Sequence, residues 1–282
     1  MTDSPDRADT GERIDTTVAH SARIWDYWTG GKDHYEADRL AGDKVQDVFP
    51  GMTTLARVGR HFIGRTVRYL AGEAGIRQFL DIGTGLPTVD NTHEVAQRVA
   101  PGSRIVYVDN DPLVLAHAHA LLTSTREGAT RYVEADVRQP EKILEAAAPT
   151  LDLDKPVAVM LMGILAHVSD YDEARAIVRR LMRDLPPGSH LAVRDGTNTD
   201  PLYVKALEGY NRSGAVPYVP RSPEQVAGFL DGLELVEPGV VSCPQWRPEA
   251  PEVGPRKEVS LYGGVGRKLA GGPLLGEFGR TK

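Results

Sequence analysis

Residues Phe79 to Thr88, FLDIGTGLPT, decide how this chain is read. A short apolar run ends in Asp81 and opens at once into Gly83, Thr84 and Gly85. Apolar residues bounded by turn formers mark a buried strand. Glycines at alternate positions allow a tight turn and let the backbone approach a bound molecule. The stretch therefore predicts a strand whose carboxyl end borders a ligand of nucleotide type.

C-terminal to it, the runs RIVYVD, TRYVEA, VAVMLMGIL and HLAVRD alternate with the amphipathic stretches NTHEVAQRVA, PLVLAHAHALLTS, PEKILEAAA and DYDEARAIVRRLMRDL. Strand and helix in alternation imply right-handed crossovers and a parallel sheet, hence an α/β fold. VAVMLMGIL is apolar throughout, as a central strand covered on both faces should be. Asn91 with Glu94, and Ser222 with Pro223 and Gln225, are capping-box patterns that mark helix starts. After HLAVRD the alternation stops. GLELVEPGVV and KEVSLYGGV follow with no helix between them, so they are expected to pair antiparallel at one side of the sheet. N-terminal to the glycine loop, residues 21–75 read as helical, with Ile63, Val67 and Leu70 on one face and a break at Gly30-Gly31.

The 282 residues suit one large domain or a domain with an appended subdomain, and the core they can bury needs no staples. Cys243 is the only cysteine, which excludes an internal disulfide and a Cys-x-x-Cys zinc site. No metal is expected, since His117 and His119 stand two apart on a helical stretch and face different ways. The longest apolar run, Val157 to Ala166, is far short of the roughly 20 residues a spanning helix needs, so no membrane partner is expected. The N-terminal residues have no apolar core and read as a solvated arm to residue 20, and the location expected is cytoplasmic. The formal charge is −6, and residues 76–200 carry 13 Lys and Arg against 18 Asp and Glu. That balance argues against nucleic acid and for a small-molecule partner.

Asp81, Asp109 and Asp136 end three successive strand runs, so all three reach the carboxyl-end edge where open α/β sheets bind ligands. Each alone could be a helix cap, and the glycines alone a turn. Together they describe a site for an adenosine-type ligand, with Asp109 about 20 residues past the loop to accept from ribose hydroxyls. A dinucleotide fingerprint would need a third small residue and a helix start to take a pyrophosphate. Here Thr88 follows Pro87, and the helix starts near Asn91. An acid two residues before the first glycine suits a cationic ligand such as S-adenosylmethionine (SAM). An NAD-dependent oxidoreductase stays open as an alternative, as does a SAM-binding sensor or partner protein without turnover. His167, just past VAVMLMGIL, is the candidate general base, or else a structural histidine at a strand end.

The D-x-G-x-G motif followed by acids at the next two strand ends resembles the class I SAM-dependent methyltransferases. More narrowly, SARIWDYWTGGKDHYEADR, FLDIGTGLPTVDNTHEVAQ, VYVDNDPLVLAHAHALL and GLELVEPGVV with Trp246-Arg247-Pro248 are similar to a bacterial S-adenosyl methyltransferase family once classed as a domain of unknown function. The likeness runs from about residue 21 to residue 268. It implies a Rossmann-like, mostly parallel seven-stranded sheet with an antiparallel last strand, and a helical N-terminal lid over residues 21–75. Residues 76–268 would form the SAM domain and 269–282 a flexible tail. The resemblance assigns Asp81, Gly83, Thr84 and Gly85 to the methionine end of SAM, Asp109 to the ribose with Asn110 beside it near the adenine, and Asp136 and Val137 to the adenine edge. Met162 and Gly163 would line the methyl-transfer cleft. Tyr27, Gly30, Gly31 and Lys32 would border the SAM site from the lid. S-adenosylhomocysteine would be the product. The chain departs from the family's pattern at Gly163 to Val168 (GILAHV) and at Arg194-Asp195-Gly196, which puts the choice of acceptor in doubt.

Overall fold

The structure, a computed structural model, describes residues 15–88, 90–114, 116, 123–249 and 257–271. The arm assigned to residues 1–20 lies outside the described residues up to residue 14, as do His117, His119 and the tail beyond residue 271. Among the described residues no helix is long and apolar enough to cross a membrane.

The strands are β1 (Gln78–Ile82), β2 (Arg104–Asp109), β3 (Ala129–Glu134), β4 (Ala158–Met162), β5 (His190–Gly196), β6 (Glu234–Leu235), β7 (Val241–Ser242) and β8 (Leu261–Arg267). They form one sheet in the order β3-β2-β1-β4-β5-β8-β6, with β7 also paired to β8. β1 to β5 run parallel, and β8 is antiparallel to β5 and β6. The expected antiparallel pairing is present, with Glu234 opposite Arg267. The strand count differs: among the described residues the sheet has eight strands where seven were expected. GLELVEPGVV is two short strands, because Pro238 lacks an N–H and Gly239 turns the chain with φ 85°. VAVMLMGIL likewise stops at Met162, where Gly163 takes φ 104°.

The helices are α1 (Ser21–Thr29), α2 (Glu36–Val48), α3 (Met52–Gly72), α4 (Thr92–Val99), α5 (Pro140–Ala147), α6 (Tyr171–Arg183), α7 (Pro201–Tyr210) and α8 (Pro223–Ala227). Both predicted capping boxes form, at Asn91 and at Ser222. Side chains alternate between sheet faces with period two. Leu80, Ile82, Val106, Val108, Val159 and Leu161 share a core with Ile143 of α5 and Ile177 and Leu181 of α6. Phe79, Ile105, Tyr107, Met160 and Ala192 share the opposite one with Trp28, Leu55, Phe62 and Leu70. The N-terminal helices thus supply much of one side of the core, together with Val95 of α4, Tyr203 and Tyr210 of α7 and Trp246, and each buried large side chain contributes about 1.5–3 kcal/mol. Because Asp81 alternates with Leu80 and Ile82, it faces the α1–α3 side. The loop after β7 is held there as well: Arg65 of α3 donates to the carbonyl oxygens of Trp246 at 3.0 Å and Cys243 at 2.7 Å. Burial pushes the Cys243 thiol up to about 12, so it stays protonated.

Candidate functional site

The carboxyl ends of β1, β2 and β4 converge on a cleft roofed by α1. Its main lobe, about 130 Å³, is walled by Asp81, Gly83, Thr84, Gly85, Asp109, Asn110, Met162 and Gly163, with α1 and α3 opposite. A smaller lobe of about 50 Å³ adds Asp136 and Val137 and shares Gly83, Asp109, Asn110, Ile164 and His167 with the first.

Asp81 is 7% exposed, and its Oδ2 accepts from Thr92 Oγ1 at 2.6 Å. Burial raises its pKa to about 6, against the Thr92 hydrogen bond and the charges of Arg60 and Arg194, which lower it. It is therefore mostly ionised at neutral pH. Gly83 (φ 73°) donates its N–H to the Val108 carbonyl at 2.8 Å, and a Cβ there would stand 2.5 Å from that of Ile164. Gly85 (φ 64°) donates its N–H to Asp109 Oδ2 at 2.9 Å. Asp109 Oδ1 accepts from the N–H groups of Asn110 and Asp111 at 2.9 and 3.0 Å. Burial pushes Asp109 up despite these donors. The acid that ends β2 thus also fixes the glycine loop of β1.

The roof is anchored at the same strand end, where His20 Nδ1 lies 2.8 Å from Asp111 Oδ2. Burial acts to raise Asp111, but the hydrogen bond and charge of His20 outweigh it and hold the carboxyl below its usual value. His167 lines both lobes. Its Nδ1 is 3.0 Å from the Pro217 carbonyl oxygen, which can only accept, so Nδ1 carries the proton and Nε2 the lone pair. Burial lowers its pKa to about 4, so it is neutral at pH 7.

Two cleft side chains are not among the expected cofactor contacts: Arg60, and Arg194, which the sequence marked only as a departure from the family's pattern. Arg60 of α3 and Arg194 of β5 both line the main lobe and both act on Asp81. Arg194 is 7% exposed, donates to the Met162 carbonyl oxygen and stacks 5.6 Å from the Trp25 ring centroid. Gly59 and Gly163 give it room, since a Cβ at either would crowd the guanidinium. A charged residue at the end of an otherwise apolar central strand was the available signal.

The remaining expected residues are spread more widely. Asp136 is partly exposed, and its Oδ1 accepts from the Arg138 N–H at 2.8 Å. Tyr27 stands away from both lobes and donates its hydroxyl to Asp43 at 2.5 Å. Gly30 and Gly31 line a second cavity, of about 710 Å³, which shares Asp26, Thr29, Arg60 and Thr88 with the main lobe. Lys32 is exposed and lines none of the three. Among the described residues no cluster of metal-ligating side chains occurs.

A parallel sheet in the order 3-2-1-4-5, continued by an antiparallel strand and carrying a D-x-G-x-G loop beside an acid-ended β2, defines a class I SAM-dependent methyltransferase fold. The model of the S-adenosyl methyltransferase family matches residues 7–269, and the chain belongs to that family. Its cofactor is S-adenosylmethionine, and the NAD reading is set aside. Two solved structures are similar over nearly the whole length. A DUF574 family protein from Streptomyces avermitilis MA-4680 shares 50% identity at TM-score 0.86, covering 91% of this chain and all of that one. A candidate methyltransferase from Thermobifida fusca YX shares 40% identity at TM-score 0.85, covering 93% and 100%. The CurJ carbon methyltransferase is alike in fold alone, at 17% identity and TM-score 0.51, covering 83% of this chain and 63% of that one. No curated protein matches the sequence.

The residues present fit the cofactor. Asp81 is a buried carboxylate whose pKa is raised by loss of solvent, so an adjacent ammonium or sulfonium would stabilise its ionised form. Asp109 is a second buried acid on the neighbouring strand, with lone pairs left over for a diol.

Proposed function

We propose that the protein transfers the methyl group of SAM to a small-molecule acceptor. The observation that carries this reading is the cleft along one sheet edge, in which the Asp81–Gly85 loop, Asp109 and the Asp136–Val137 pair follow one another. Asp81 would hold the methionine ammonium, with Arg60 and Arg194 beside it for the carboxylate. Asp109 would take the ribose, with Asn110 beside it near the adenine, and Asp136 with Val137 the adenine edge. When bound, SAM supplies an activated methyl carbon: the acceptor's lone pair forms the new bond while the sulfur–carbon pair returns to sulfur, leaving S-adenosylhomocysteine.

The chain's own part is alignment and exclusion of water. Met162 and Gly163 wall the transfer point, and Trp25 of α1 covers it. His167 offers Nε2 as a proton acceptor, though a pKa near 4 makes it a weak base. The lid assignment for residues 21–75 rests on the same arrangement, since α1 supplies the roof.

Incubating the protein with methyl-labelled SAM and a low-molecular-weight cell extract tests the proposal. Label in a product is expected, together with thermal stabilisation by SAM and S-adenosylhomocysteine but not by NAD. SAM binding with no transfer would instead mark a sensor, and stabilisation by NAD alone would overturn the reading.

A further inference from the structure

We propose that the methyl acceptor is a polar anion, held by its negative group on the basic face of α3 in the second cavity; this rests on the methyl-transfer reading above. At about 710 Å³ the cavity lies within the 300–1,000 Å³ range of small-molecule sites, and it meets the main lobe at Arg60, Asp26, Thr29 and Thr88. A molecule in it would therefore lie next to the methionine end, where the methyl group is delivered.

Its chemistry follows from α3. Arg57, Arg60, His61, Arg65 and Arg68 recur at i, i+3, i+4, i+8 and i+11, one stripe about 16 Å long. The helix has no Asp or Glu from Met52 to Gly72. Among the described residues four acids, Asp26, Asp33, Asp90 and Glu249, line the opposite walls; Asp26 and Asp90 are held by groups off α3, whereas Glu249 pairs with Arg68 of the stripe itself. Asp26 accepts from the Asp33 N–H at 2.9 Å and lies 3.0 Å from His34 Nδ1. Asp90 takes Arg98 at 2.7 Å, and Glu249 takes Arg68. The Arg65 guanidinium rests on the carbonyl oxygens of Cys243 and Trp246. Arg57 and His61 have no hydrogen-bond or ion-pair partner among the described residues. Arg57 and His61, both exposed, are thus the part of the stripe open to an added anion.

The wall composition excludes a large apolar acceptor. Pro87 is the only apolar side chain lining the cavity among the described residues. The anion is the handle and not the accepting atom, because Arg57, His61, Arg65 and Arg68 line the second cavity and not the main lobe. A carboxylate or phosphate on this stripe would leave the rest of the molecule free to reach past Arg60. Guanidinium groups are the side chains best matched to both anions.

Arg57 and His61 brace nothing in the fold, so replacing them isolates binding. The full-length protein, saturated with S-adenosylhomocysteine, is titrated with citrate, and with choline at the same ionic strength, for wild type, the Arg57→Gln/His61→Gln double variant and a distant Arg131→Gln control. Citrate is expected to bind wild type and the control alike and the double variant at least tenfold more weakly. S-adenosylhomocysteine affinity should stay within twofold throughout. Citrate bound no better than choline, or equally by wild type and the double variant, overturns the proposal. Loss of S-adenosylhomocysteine binding in wild type would instead strike the methyl-transfer reading. In the labelled extract, the methylated product should be retained on an anion exchanger, and label confined to neutral or cationic fractions would also overturn it.

Discussion

Asp109 shows how one residue serves fold and site together. Its two oxygens take N–H groups from Gly85, Asn110 and Asp111, which sets the glycine loop of β1 against the end of β2. The carboxylate still has lone pairs for ribose hydroxyls. Asp109→Ala should weaken SAM binding by about 1.5–3 kcal/mol, since a charged acceptor is lost. It should also lower the unfolding midpoint, because three N–H groups lose their acceptor. Calorimetry with unchanged SAM affinity would remove Asp109 from the site. The two loop glycines separate conformation from space. At Gly85 nothing lies within 4 Å of an added Cβ, so Gly85→Ala should cost only the left-handed backbone penalty of roughly 1–2 kcal/mol. At Gly83 the same penalty is joined by a clash with Ile164. Denaturant melts should therefore rank Gly83→Ala well below Gly85→Ala, and equal losses would refute the steric account.

Among the elements, what was legible depended on whether a pattern has one structural meaning. QFLDI, RIVYVD and HLAVRD became β1, β2 and β5 within a residue, because apolar runs next to turn formers have few other uses. GLELVEPGVV failed as a single strand because Pro238 and Gly239 outweigh its β-branched residues. α3 was half read. Ile63, Val67 and Leu70 gave its buried face, while its arginine stripe looked like any solvated surface. Only the placement of α1 and the Gly30-Gly31 corner across from α3 makes that stripe a cavity wall. The corner depends on Gly31, where a Cβ would overlap the buried Asp26 carboxylate and part it from Asp33 and His34. Gly31→Ala should therefore destabilise the fold by about 1–3 kcal/mol, the usual cost of overpacking. Amide exchange should speed up first in α1, and a variant with wild-type exchange there would show that the corner tolerates a side chain.

For the whole molecule, burial of acids sets how stability responds to pH. Asp195 of β5 lies fully buried, and neither of its oxygens has a well-formed hydrogen bond. Arg221 Nη1 is 3.8 Å away and already donates to the Leu165 carbonyl oxygen at 2.8 Å. Burial raises Asp195 to about 7, although Arg221 and Arg194 pull it down. Between about pH 4 and 7 the folded protein then holds a proton that the unfolded chain has released. Folding is favoured in proportion, so this contribution is complete below about pH 4 and is lost as pH rises through 7. Asp81, raised to about 6, adds to the same trend in the absence of cofactor. Asp195→Asn removes the titrating group while keeping its shape. Its absolute stability combines the lost charge with an Arg221 deprived of its counter-ion, so the informative quantity is the difference between two pH values. Urea midpoints at pH 5 and pH 8 should differ more for the wild type, which is favoured at pH 5, than for Asp195→Asn. An equal difference in both proteins would mean that Asp195 does not take up a proton in the folded state.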